Sequence, residues 1–130
     1  MNKVVLDTSA VLAYLFQETG ADMLTPVFEA ASGLISSVNY AELVGKLIAR
    51  GMPPAVIRET LTGLELEVVA YDETQAFLTG ELRSVGKTAG LSLGDRACLA
   101  LGTIMQLPVL TADRAWLGVP TQVEVRSIRG

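Results

Sequence analysis

Residues Lys3 to Ser9 constrain this chain more than any other stretch. Val4, Val5 and Leu6 form an unbroken apolar run that stops at Asp7, and two hydroxyl residues, Thr8 and Ser9, follow. A strand that is apolar throughout, instead of alternating, is covered on both faces, as the central strands of parallel sheets are. In open α/β sheets, ligands gather just beyond the carboxyl ends of such strands. Asp7 stands at that place, either as a turn and cap residue or as the first member of a site.

The rest of the chain alternates helix and strand signals. A short, nearly all-apolar helix is expected over Ser9–Phe16, and a second over Ala21–Ala31 with Pro26 kinking it or marking its true start. Leu34–Ile35 reads as a short strand leading to Ser36–Ser37, which can cap a helix from about Val38 to Arg50. Tyr40, Leu43, Val44, Leu47 and Ile48 recur there at helical spacing and form the expected core stripe. Pro53–Pro54 opens a helix to Gly63, and Leu66–Ala70 reads as a strand. Asp72 with Gln75 has capping-box spacing for a helix reaching about Val85. A glycine-containing loop over Gly86–Leu91 precedes a helix over Ser92–Gln106. Pro108–Thr111 is a second short buried strand, Trp116–Leu117 a short turn or helical piece, and Val123–Arg126 alternates like an edge strand. No linker or repeat interrupts the 130 residues. Together they predict one domain over residues 1–130, a three-layer α/β/α fold on a mostly parallel sheet.

Composition narrows the chemistry. The chain has no histidine, which removes Ser-His-Asp catalysis and paired-histidine RNA cleavage. Its one cysteine, Cys98, allows neither an internal disulfide nor a cysteine pair for zinc, and reads as a small core residue. Net charge is −4, so no global basic field gathers nucleic acid. An enzyme of this composition must work through carboxylates. The sequence opens directly on a strand with no signal-peptide pattern, and its apolar runs fall short of a membrane span, so a cytoplasmic protein without membrane association is expected.

Four acids resist dismissal as surface. Asp95 lies in the first turn of a helix that is apolar around most of its circumference, where a charge needs a partner; Ser92 and Asp95 also have capping-box spacing. Asp113 follows Val109–Leu110 much as Asp7 follows its own strand, and it too can be a cap. Glu42 lies roughly opposite the core stripe of its helix, where a solvated glutamate bridging to Lys46 is the plain expectation. Ala41, Gly45 and Ala49 form a small-residue arc beside it that would let another element approach. Arg96 and Arg114 each follow one of the aspartates, as surface ion-pair residues or as holders of substrate phosphate.

Four segments carry a resemblance: Val4–Ala10, Asn39–Leu43, Leu91–Ala100 and Leu110–Asp113. In this order and near this spacing they resemble a PIN domain, specifically the toxin ribonuclease of VapBC-type toxin–antitoxin pairs, over essentially the whole chain. The resemblance implies that Asp7, Glu42, Asp95 and Asp113 are an acidic quartet around divalent metal, with Thr8, Ser9 and Thr111 bonding the carboxylates or a metal-bound water. It implies RNA as substrate, a cognate VapB-like antitoxin whose tail blocks the groove, and a homodimer. Carboxylates without soft ligands select Mg²⁺ or Mn²⁺ over zinc. Lys46, Arg50, Lys87, Arg96 and Arg114 are candidates to guide RNA.

Other readings fare worse. A receiver module needs an acid pair at the first strand and a lysine after a late strand, and Thr111 is followed by none. A haloacid-dehalogenase-type phosphatase needs a second aspartate two residues after the first, where Ser9 stands. A non-catalytic PIN-like module that binds metal or a partner is the alternative to the nuclease.

Overall fold

In the computed structural model, which describes residues 2–84, 90–119 and 121–130, the apolar run after Lys3 becomes β1 (Val4–Leu6), the middle strand of a sheet. With β2 (Gly33–Ser36), β3 (Glu67–Val69), β4 (Val109–Thr111) and β5 (Val125–Ser127) it forms a five-stranded sheet in the order β3-β2-β1-β4-β5. Every neighbouring pair is parallel. Parallel neighbours need crossover connections instead of hairpins, and here helices supply them.

The period-two geometry of β1 divides the core. Val4 and Leu6 face a cluster with Ile35 and Leu110 on one side of the sheet. That layer is closed by α1 (Thr8–Leu15), α2 (Thr25–Glu29), α3 (Ser37–Ala49) and α4 (Pro54–Gly63), through residues such as Val11, Val27, Leu43 and Ile57. Val5 points the other way, to Leu34, Val109, Cys98, Leu99, Leu101 and Trp116. Here α6 (Leu93–Met105) lies on the sheet, and α5 (Glu73–Glu81) packs against α6. Both faces of β1 are covered, and all three of its residues are buried. At Gly102 on α6 a Cβ would stand 2.5 Å from Val109 Cγ2, so the missing side chain is what lets the helix approach β4 so closely.

Several expectations shift. The helix expected over Ala21–Ala31 is a 3₁₀ turn at Ala21–Met23 followed by the short α2, with Pro26 in its first turn, where a missing N–H costs nothing. The edge strand lies at Val125–Ser127, two residues beyond the start of the alternating pattern. Ile48, expected in the stripe of α3, is 51% exposed, while Leu43 and Leu47 are fully buried. Asp72 caps α5 by accepting from Gln75 N at 2.9 Å, but Gln75 does not return the bond. Its amide donates to Ala70 O instead, so only half of the expected capping box forms. The expected end of that helix at Val85, and most of the Gly86–Leu91 loop including Lys87, lie outside the described residues. Among the described residues, no helix is long and apolar enough to cross a membrane.

Candidate active site

Because β1 and β4 are parallel neighbours with Leu6 opposite Leu110, the residues that follow them emerge at the same edge of the sheet. Asp7 arrives there as the N-cap of α1, its Oδ1 accepting from Ala10 N at 2.9 Å. Ser9 Oγ lies 2.8 and 3.0 Å from the two Asp7 oxygens. Thr111 Oγ1, at the end of β4, donates to Asp7 Oδ2 at 2.9 Å. The two hydroxyls are themselves fixed by the chain beyond β4, with Ser9 Oγ accepting from Ala112 N and Thr111 Oγ1 from Asp113 N. Asp7 is only 3% exposed. Burial pushes its carboxyl up to about 6, against the pull of the bonds from Ala10, Ser9 and Thr111, and the charge of Asp95 adds to the push.

Asp95 enters from α6. Ser92 caps that helix, its Oγ accepting from Asp95 N at 3.2 Å while Asp95 Oδ2 accepts from Ser92 N at 2.9 Å. The capping box is complete. Burial raises the Asp95 carboxyl above its ordinary value; the Ser92 bonds oppose this, and the nearby charges of Asp113 and Glu42 reinforce it. Asp113 is exposed and caps a 3₁₀ turn at Arg114–Trp116 through Ala115 N, 2.9 Å from its Oδ1. Each of these aspartates caps a helix or turn. For Asp7 and Asp113, which follow β1 and β4, the end of a strand and the start of the next element are the same place, so the capping acid also lies at the sheet edge.

Glu42 overturns the helical-wheel expectation. It is half-buried, forms no ion pair with Lys46 among the described residues, and accepts from the hydroxyl of Thr8. The small-residue arc is not what admits a neighbour: Ala41, Gly45 and Ala49 are exposed. The element that approaches is α6, and the residue that permits it is Gly94, where a Cβ would lie 3.1 Å from both Glu42 carboxylate oxygens. Asn39, buried at 1% exposure, completes the arrangement. Its amide donates to Gly94 O at 3.0 Å, and its own backbone carbonyl faces Thr8 Oγ1 at 3.2 Å. Thr8, Asn39, Glu42 and Gly94 thus tie α1, α3 and α6 together beside the aspartates. Neither Asn39 nor Gly94 was singled out by the sequence reading, although Asn39 shares the i, i+4, i+8 row of Leu43 and Leu47 and so had to be a polar residue facing inward.

Asp95 lies close enough to act on Asp7, and Glu42 and Asp113 close enough to act on Asp95, yet among the described residues no three such side chains converge tightly enough to grip one ion. Arg96 stands apart from the group. It is 8% exposed, donates from Nη1 to Thr79 O on α5 at 3.1 Å, and joins the two helices. Cys98 is buried beneath the acids, and burial followed by the charges of Asp7, Asp95 and Glu42 raises its thiol well above the usual range, so it stays protonated.

The chain is similar to known proteins over most of its length. A VapC ribonuclease of Mycobacterium bovis is 30% identical over 115 residues, covering 82% of this chain and 88% of the relative. Among solved structures, a toxin–antitoxin complex from Klebsiella pneumoniae superposes with a TM-score of 0.74 at 18% identity, covering 97% of this chain and 98% of that one. A DNA-bound VapBC from Salmonella typhimurium superposes with a TM-score of 0.70 at 20% identity, covering 98% and 99%. The family model described as PIN domain matches residues 4–120, a span running from β1 through the strand that carries Thr111 to just past the Asp113 turn. By its sequence match and by the parallel sheet that gathers its acids, this chain belongs to the PIN-domain family.

Proposed function

We propose that the protein is a metal-dependent endoribonuclease, the toxin of a toxin–antitoxin pair, and that Asp7, Glu42, Asp95 and Asp113 hold its divalent ion. The observation that carries this reading is the gathering of four acids from separate parts of the chain beside the carboxyl edge of β1 and β4, where the charges of their neighbours add to burial in raising the carboxyls of Asp7 and Asp95. The donor set is all oxygen and the nearby thiol is protonated, which fits Mg²⁺ or Mn²⁺ and not zinc. When bound, such an ion activates a water and stabilises the leaving oxygen of a phosphodiester.

The chain's own residues set the frame for that chemistry. Ser9 and Thr111 fix both oxygens of Asp7, and the Ser92 bond holds one oxygen of Asp95 and leaves Oδ1 for a ligand. Thr8 does the same for Glu42 through Oε1. Hydroxyls at Asp7 and Glu42 and a backbone N–H at Asp95 therefore orient the carboxylates without adding charge. The kinship with VapC ribonucleases supports RNA as substrate, and the fold shared with VapBC complexes supports a VapB-like antitoxin as partner; a homodimer completes the proposal.

The test incubates the full chain with total cellular RNA in EDTA and then with Mg²⁺ or Mn²⁺, following melting temperature in parallel. Cleavage should need the ion, and the ion should raise the melting temperature. Metal stabilisation without cleavage of any RNA would favour the non-catalytic module. The absence of both effects would sink the metal site itself.

A further inference from the structure

Beside the four acids, and sharing Ser9 and Asp113 with them, lies an open cleft of about 320 Å³ rimmed by Arg50, Arg114 and Arg129. The chain has seven arginines and a net charge of −4, so three in one cleft is a local concentration against the overall field. They come from distant places: the C-cap of α3, the turn after Asp113, and the residues beyond β5. Two of them are held by contacts other than an ion pair, and Glu18, which also lines the cleft, lies near the third. Arg50 stacks 4.0 Å over the ring of Phe16. Arg114 Nη2 donates to Arg129 O at 2.9 Å, linking two of the three. Arg129 reaches Glu18 only at 4.0 Å and keeps 43% of its side chain exposed.

We infer that this cleft is a phosphate subsite, holding the RNA backbone beside the bond to be cut. The inference rests on the nuclease reading above. An acidic site repels a polyanion, and with no global basic field the strand needs cations near the reacting bond. Guanidinium groups match phosphate oxygens with paired N–H donors. A stacked Arg50 and a tethered Arg114 lose little side-chain freedom on contact, and their position next to Asp113 sets the strand's path relative to the acids. Arg114 thereby takes the substrate role that Arg96, committed to α5, does not.

The test measures binding of a labelled single-stranded RNA of about 16 nucleotides to the full chain in an Asp95→Asn background, with Mg²⁺ and over a range of salt. Arg50→Gln, Arg114→Gln and Arg129→Gln should each weaken binding by about five- to tenfold and flatten the log–log salt slope by about 0.7, one released counter-ion each. Arg114→Lys should recover part of the loss. Arg58→Gln, on α4, should change neither quantity, and melting temperatures should confirm that every variant folds. If the parent binds RNA and the cleft variants bind it equally well, or if Arg58→Gln loses as much, the subsite is wrong and the nuclease reading stands. If a polyglutamate peptide displaces the RNA completely and binds tighter, the cleft belongs to an acidic protein tail. If the wild-type chain neither binds nor cuts RNA, the nuclease reading fails and this inference falls with it.

Discussion

An Asp95→Asn chain should cut RNA about three orders of magnitude more slowly than wild type, a loss of ~4 kcal/mol of transition-state stabilisation, while remaining folded. The separation of the two effects follows from what each oxygen of Asp95 does. Oδ2 accepts from Ser92 N, and an asparagine carbonyl can keep that bond. Ser92 continues to cap α6 through the Asp95 backbone N–H. The fold loses only a first-turn charge, worth about 0.3–1 kcal/mol at a helix N-terminus, and gains relief from the repulsion of Asp113 and Glu42. The proposed site, by contrast, loses one of its four carboxylates. Asp72→Asn makes the control, since Asp72 caps α5 without any role in the proposed site. Equal turnover in wild type and the Asp95 variant at matched metal concentration would remove Asp95 from the mechanism.

The second large effect concerns Asp7 and pH. Its carboxyl rises from 3.8 to about 6 in the fold, chiefly through burial. Between those values the folded chain binds more protons than the unfolded one, so stability falls as pH rises through that window. The contribution is fully unfavourable above about pH 6 and vanishes below about pH 4, and its size is ~3 kcal/mol. In EDTA, Asp7→Asn should therefore be more stable than wild type at pH 7.5, with the gap closing on acidification to pH 4. Excess Mg²⁺ should stabilise wild type and not the variant, because the ion replaces the proton as counter-charge. Chemical denaturation at several pH values measures this directly. A gap that stays constant across the window would mean that Asp7 does not carry the linkage.

How far the sequence reveals this molecule depends on whether a feature is local. The strand ends at Asp7 and Asp113 were legible because an apolar run that halts at an acid is a local event, and α6 because its apolar girth is. Glu42 was misread by its own helix. A wheel shows which face a residue occupies, not that Thr8 and Gly94 from two other elements will close over it. Gln75 has the right spacing for a capping box, yet its Nε2 is anchored on Ala70 O and its Oε1 accepts from no donor among the described residues, and no spacing rule contains that outcome. Arg96 looked like surface because most arginines are; only the packing of α5 on α6 buries it. The arginine cleft was legible only in part, since Arg50 and Arg114 were among the candidates to guide RNA and Arg129 was not. Its members stand at positions 50, 114 and 129, and nothing short of the sheet order brings them together.

The acids of this site double as helix starts, and that bears on how the protein is made. Backbone N–H groups at Ala10, Ser92 and Ala115 already answer the charges of Asp7, Asp95 and Asp113 before any cation arrives. A zinc finger, with nothing to offset its ligands, stays unfolded until it is loaded. Here the residual penalty at Asp7 is ~3 kcal/mol, tolerable within the ~5–15 kcal/mol of a typical domain. On the proposed metal reading, folding and ion binding are therefore separable: helix capping lets the chain reach its shape without the ion.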